Sequence, residues 1–179
     1  MTTVIVLNGA SSSGKSSIAR ALQALLTEPY LTFGTDTLVD ALPAAMADDE
    51  TGISVAADGS VSVGPGFRRL EHAWFAGLTA IARDGVGIII DEVLLEGGEG
   101  QRRVRERLSG QDILWVGVHC DVDVAAAREA LRPDRTVGMA RSQALIVHDG
   151  VQYDVEVDTT HATAVECAAV IAAVVGKAQ

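Results

Sequence analysis

The sequence predicts an α/β sandwich in three layers, with a mainly parallel five-stranded sheet between two helical layers. Three observations lead there. Five short runs rich in β-branched residues are apolar almost without interruption, which marks strands covered on both faces. Helical patterns separate them, an order that gives right-handed βαβ units. The first strand also runs into a glycine- and serine-rich turn that opens a helix.

The strands are expected at 4–7, 31–33, 86–90, 113–118 and 153–157, and the helices at 15–26, 37–46, 67–83, 100–108, 122–131 and 162–175. Within 67–83 the apolar positions Phe67, Leu70, Trp74, Leu78 and Ile81 recur at helical spacing. Segment 53–63 breaks the alternation. Asp58-Gly59 stands there between two alternating runs, the signature of a β-hairpin. The hairpin is read as a flap over a ligand site, with a purely decorative surface hairpin as the alternative. No repeat or linker-like stretch divides the chain, so 1–179 is read as one domain, in keeping with a length of 179 residues.

Composition narrows the function classes. Hydrophobic residues make up 48% of the chain, enough to build a core and to exclude intrinsic disorder. Fourteen Lys and Arg against 24 Asp and Glu give a net charge of −10, which opposes a general grip on nucleic acid or on anionic lipid. Any polyanion must then be bound locally. The two cysteines, Cys120 and Cys167, have no metal-like spacing and are read as thiols. The start of the chain has no basic leader, and the apolar run 162–175 contains Glu166 and is too short for a membrane span, so a cytoplasmic protein is expected.

Gly9-Ala10-Ser11-Ser12-Ser13-Gly14-Lys15-Ser16 fits the phosphate-binding loop pattern G-x-x-x-x-G-K-[ST], between a buried strand and a helix. Backbone N–H groups of such a loop, with the N-terminus of the helix behind it, face phosphate oxygens. Gly9 through Ser17 are therefore the expected nucleotide cradle. Lys15, one of only two lysines, is expected on the β- and γ-phosphates of ATP, and Ser16 on Mg²⁺. Asp91 ends the strand at 86–90 and is the candidate second metal ligand, or else an ordinary acidic residue leaving a strand; Glu92 beside it could be a solvated neighbour.

The acceptor side needs a group that orients or deprotonates a hydroxyl. Asp36, just past the second strand, is the natural choice, although an aspartate before a helical stretch could also be its N-cap. Arg128, Arg132 and Arg135 are spaced four and three apart and end at a proline break, which is read as an arginine lid around 128–138. A solvated helix face is the alternative. His72, His119, His148 and His161 have no metal or triad spacing, and Trp74, Phe67, Leu42 and Met46 fit a core as readily as an acceptor pocket. Without an Asn-Lys-x-Asp element a switch GTPase loses support, and 179 residues cannot hold a large ATPase motor.

The residues also carry a resemblance over nearly the whole chain. Segments 7–17, 33–36, 58–65, 88–91, 114–118, 134–139 and 153–160 resemble the chloramphenicol phosphotransferase family, small P-loop kinases that move the γ-phosphate of ATP to the antibiotic's primary hydroxyl. The resemblance implies that Asp36 is the catalytic aspartate, that Lys15 and Ser16 contact nucleotide and metal, and that Arg132 and Arg135 are the lid arginines. Ala10 and Glu92 are mild departures, since a glycine and an aspartate are common there. The acceptor side carries little positive charge besides Arg68 and Arg69, which fits an uncharged alcohol such as chloramphenicol. A kinase of another metabolite and an ATP-binding regulatory module are the alternatives, and a homo-oligomer stays open.

Overall fold

A computed structural model describes residues 4–47, 49–133 and 136–177. Five strands, β1 (Val4–Asn8), β2 (Tyr30–Gly34), β5 (Gly87–Glu92), β6 (Ile113–His119) and β7 (Val155–Asp158), form one sheet in the order β2-β5-β1-β6-β7. Every pairing in it is parallel. The remaining two strands, β3 (Ile53–Val55) and β4 (Val61–Val63), pair antiparallel as a separate hairpin. All five apolar runs are thus strands of one sheet, and Asp58-Gly59 is the tip of a hairpin.

The two-residue period of a strand sends alternate side chains to opposite faces, and the core divides accordingly. Ile5, Leu7, Ile89 and Val116 pack with α1 (Lys15–Leu25) and α7 (Ala164–Lys177). Val4, Val6, Ile88, Ile90 and Trp115 pack on the other face with α3 (Pro65–Arg83) and α4 (Gly97–Arg107). Strands buried on both faces must be apolar at successive positions, and β1 is fully buried over all five residues.

The expected helix over 37–46 is a correction. α2 spans only Thr35–Asp40, and a 3-10 turn, Ala44–Met46, follows Pro43. Proline disfavours the helical conformation at Leu42 and offers no N–H to continue the ladder. Sequence periodicity also missed α6 (Met139–Ala144), which follows α5 (Val122–Glu129) and is too short to show a period. No helix among the described residues is long and apolar enough to cross a membrane.

Candidate active site

The carboxyl ends of β1, β2 and β5 open into one cavity of roughly 590 Å³, lined by the loop after β1, the start of α2 and the hairpin. Ligands of open α/β sheets gather at this edge. The loop is shaped before any ligand arrives. Gly14 has φ +94° and Ser12, though not a glycine, has φ +59°, a left-handed turn that makes a concave nest of N–H groups. Gly9 lies so close to β6 that a Cβ would stand 2.4 Å from the Val118 carbonyl oxygen. The hydroxyls of Ser11, Ser12 and Ser13 are buried with no partner among the described residues, and Ser11 and Ser12 line the cavity while Ser13 does not.

Lys15 is buried, and its Nζ donates to the carbonyls of Gly9 and Ala10, both at 2.9 Å. It also stands 3.7 Å from Asp91 Oδ1. Ser16 Oγ donates to Asp91 Oδ2 at 2.6 Å. The loop and the end of β5 therefore bring an ammonium, a hydroxyl and a carboxylate to one point, because β1 and β5 are sheet neighbours with Leu7 level with Asp91. Hard oxygen donors of this kind suit Mg²⁺, and Ser17, exposed on the next residue, lines the same cavity.

Asp36 is the second residue of α2, exposed, and lines the cavity. It is not the N-cap, because the helix starts two residues earlier than the sequence pattern indicates and Gly34 takes that place, its N–H donating to Thr37 Oγ1 at 3.2 Å. Glu92 is a further correction to the solvated reading. It is buried, and its Oε1 accepts the hydroxyl proton of Thr35 at 2.6 Å and the N–H of Val93 at 3.0 Å. Burial pushes its carboxyl up to about 7. Through Thr35, the residue before Asp36, it ties the start of α2 to the end of β5.

The arginines divide. Arg128 donates to the carbonyl of Thr159 at 2.8 Å, to Thr159 Oγ1 at 3.2 Å and to Cys120 Sγ at 3.4 Å, so it braces the sheet edge while lining the cavity. Arg132 lines the cavity beyond the end of α5. Arg135 lies outside the described residues. Buried Glu129 accepts the N–H groups of Gly138 and Ala140, each at 2.8 Å, and so pins the start of α6 to the end of α5.

Sequence reasoning missed two residues that hold the loop from behind. Gln143 Oε1, on α6, accepts the N–H of Ser11 at 2.6 Å. Thr159 Oγ1 donates to the Ser13 carbonyl at 2.7 Å. Neither belongs to a local motif; only the resemblance in segment 153–160 included Thr159.

The far side of the cavity is apolar where the hairpin covers it, through Ile53, Val55, Val61 and Val63, together with Phe33 and Phe67. Trp74, Leu42 and Met46 do not line it, and Trp74 packs edge-on against Phe33 with ring centroids 5.8 Å apart. The hairpin tip rests on the start of α6. A Cβ on Gly59 would stand 2.3 Å from the Met139 nitrogen, and Ser142 Oγ donates to the Gly59 carbonyl at 3.2 Å. Beyond it, Arg68, Glu71, Glu96 and Arg103 form a charged wall.

Two histidines set aside in the sequence meet behind the loop. His119 and His148 stack with centroids 4.1 Å apart, and His119 Nε2 lies 2.7 Å from Glu156 Oε2. The Tyr153 hydroxyl is 2.6 Å from both His148 Nδ1 and Asn8 Nδ2, while Asn8 Oδ1 accepts the Leu94 N–H at 2.9 Å. Asn8 directly precedes Gly9.

Comparison with known proteins agrees with this geometry. A Mycobacterium tuberculosis protein named "Putative O-phosphotransferase" is 34% identical over 171 residues, spanning 88% of this chain and 75% of that protein. An unliganded sugar kinase from Janibacter sp. HTCC2649 has the same fold, with TM-score 0.66, 18% identity and coverage of 95% and 94% of the two chains. A shikimate kinase from Acinetobacter baumannii superposes at TM-score 0.62 with 18% identity, over 100% and 96%. A tunicamycin resistance protein from Deinococcus radiodurans gives 0.65 with 19% identity, over 98% and 96%. The fold is that of the P-loop kinases, and the model of the family described as chloramphenicol phosphotransferase-like matches residues 2–176: the chain belongs to that family of phosphotransferases.

Proposed function

We propose that the protein transfers the γ-phosphoryl group of ATP, bound with Mg²⁺, to the hydroxyl of a small alcohol, with the primary hydroxyl of chloramphenicol as the first candidate. One observation carries this reading: Asp36, the Ser16–Asp91 pair and the phosphate loop line a single cavity whose opposite side is apolar. A nucleotide-binding regulator has no use for a carboxylate facing an acceptor pocket.

The loop N–H groups, with the hydroxyls of Ser11 and Ser12, would hold the phosphates, with Lys15 leaving the Gly9 and Ala10 carbonyls for a phosphate oxygen. Ser16 and Asp91 would hold Mg²⁺, which when bound neutralises charge on the transferring group. Asp36 orients the acceptor hydroxyl and takes its proton as the new oxygen–phosphorus bond forms. The bond from the γ-phosphorus to the bridging oxygen breaks in line, and ADP leaves with that electron pair. Arg132, with Arg135, meets the charge on the phosphoryl oxygens; Arg128 steadies the wall behind them.

The test is ADP release by purified protein with MgATP, with and without chloramphenicol, and mass spectrometry of the drug. Phosphorylated drug is expected, and Asp36→Asn should lower turnover by about 10²–10⁴ with ATP affinity nearly unchanged. Near-normal turnover in Asp36→Asn would remove the proton-accepting role. ATP binding with no phosphorylated drug would remove chloramphenicol and leave another alcohol as acceptor.

A further inference from the structure

The positive charge expected on the acceptor side comes from a different pair than Arg68 and Arg69, since Arg69 is exposed and does not line the cavity, and it is compensated. Arg103, from α4, joins Arg68, from α3, on the cavity wall. Both guanidiniums bond one carboxylate, Glu96: Arg68 through Nη2 to Oε1, and Arg103 through Nη1 to Oε2 at 2.5 Å. Glu71 accepts from Arg68 Nη1 at 3.2 Å on each oxygen and from Arg107 Nη1 at 2.6 Å. Arg103, and then Arg68 and Arg107, hold the Glu96 carboxyl below the usual carboxylate range, so the bridge stays ionised at neutral pH. The other basic residues lining the cavity, Lys15, Arg20, Arg128 and Arg132, come from α1 and from α5 and its exit, the phosphate side.

A carboxylate or phosphate on an acceptor would be recognised by paired guanidiniums in a fork arrangement. Here a protein carboxylate already sits between the two. An anionic acceptor would have to displace Glu96, which then meets it as a like charge at the edge of an apolar chamber, and rejection by such repulsion is a specificity device in itself. Neutral oxygens on an acceptor, by contrast, can share the remaining guanidinium N–H groups without breaking the bridge.

We propose that Glu96 is a specificity-determining residue: by bridging Arg68 and Arg103 on the acceptor wall, it restricts the enzyme to uncharged hydroxyl compounds and excludes hydroxy acids and phosphorylated alcohols. The inference rests on the reading above for which half of the cavity holds the acceptor, and it adds the acceptor's charge class and the side chain that sets it.

The experiment compares wild type, Glu96→Gln and Glu96→Gln/Arg103→Gln. Gluconate and the smaller glycerate serve as anionic probes and chloramphenicol as the neutral one. Binding is read by calorimetry with a non-hydrolysable ATP analogue and Mg²⁺ present, and transfer by mass spectrometry. Wild type should show no measurable affinity for either anion. Glu96→Gln should bind at least one of them tenfold or more tighter, roughly the effect of one freed charge-assisted pair, and the double variant should lose that gain.

Anion binding by wild type, or no gain for either anion in Glu96→Gln, would overturn the assignment. A gain that persists without Arg103 is not caused by the released guanidinium and also overturns the assignment, and unchanged binding of the ATP analogue shows that each variant is folded. If no alcohol is phosphorylated by any form, the transferase reading fails while the binding comparison still decides the role of Glu96.

Discussion

Acidification should loosen the base of the phosphate loop through His148. Asn8 Nδ2 already donates to the Tyr153 oxygen, and with His148 assigned the tautomer that is bare at Nδ1 the phenolic proton goes to that nitrogen. Protonating it would set two donors against each other. Burial first, then the stacked His119, with a smaller push from Lys15, bring His148 down to about 4 from an ordinary 6.5, while Glu156 acts in the opposite direction. The unfolded chain thus binds a proton that the folded one refuses, and the stability concerned is present above 6.5 and lost as pH falls toward 4. A gap of that size corresponds to about 3 kcal/mol at most, and the ring is only half-buried, so ~1–2 kcal/mol is the expected share.

Glu92 contributes with the opposite sign. Its carboxyl is raised to about 7, so its contribution is full below the ordinary 4.5 and is lost as pH rises through about 7. The two overlap, and the raw pH profile of the wild type can look flat. The assay is therefore a difference: urea unfolding of wild type and His148→Gln at pH 8, 6.5 and 4.5. Glutamine cannot titrate, yet its amide oxygen still accepts the Tyr153 proton. Wild type should lose ~1–2 kcal/mol relative to the variant between pH 8 and 4.5. A difference independent of pH would refute the assigned proton arrangement.

Two further outcomes are expected. Lys15→Ala should weaken binding of a non-hydrolysable ATP analogue in calorimetry by tenfold or more, whatever acceptor is present, because the buried Nζ is the one lysine beside the loop carbonyls; unchanged affinity would deny it the phosphate contact. Gly59→Ala should lift the hairpin from α6, because φ is +82° and the new Cβ would stand 2.3 Å from the Met139 nitrogen, a strain of about 1–2 kcal/mol before any overlap. Steady-state kinetics should then show the acceptor KM raised roughly tenfold with the ATP KM changed less than about threefold, since the hairpin supplies the apolar lining that the proposed function assigns to the acceptor; an unchanged acceptor KM would make the hairpin decorative.

What could be read in the sequence was local. Five strands announce themselves because burial on both faces demands apolar residues at successive positions, and the loop announces itself because glycine, lysine and serine must fall at fixed spacing. Asp91 and Asp36 follow from chain order, since each leaves a strand that ends at the cavity. What could not be read is paired over long distance. Glu92 looks solvated until β2 is laid beside β5 and Thr35 reaches it. Arg103 looks like one more surface arginine until α4 packs beside α3 and Glu96 joins it to Arg68.

The same reasoning explains why the loop's chemistry is distributed along the chain. A loop that must present its N–H groups inward cannot satisfy its own outward-facing atoms, and local sequence offers them no partner. Gln143 takes the Ser11 N–H, Thr159 caps the Ser13 carbonyl, and Asn8 anchors the entry strand through Tyr153 and Leu94. Each brace comes from a separate element. Thr159 is itself gripped by Arg128, and Gln143 rides on a helix whose start Glu129 holds. The shape of the cradle is therefore fixed by tertiary contacts, so a phosphate entering it would meet backbone N–H groups already in place, and Lys15 Nζ is the group that has to turn from the Gly9 and Ala10 carbonyls to reach it.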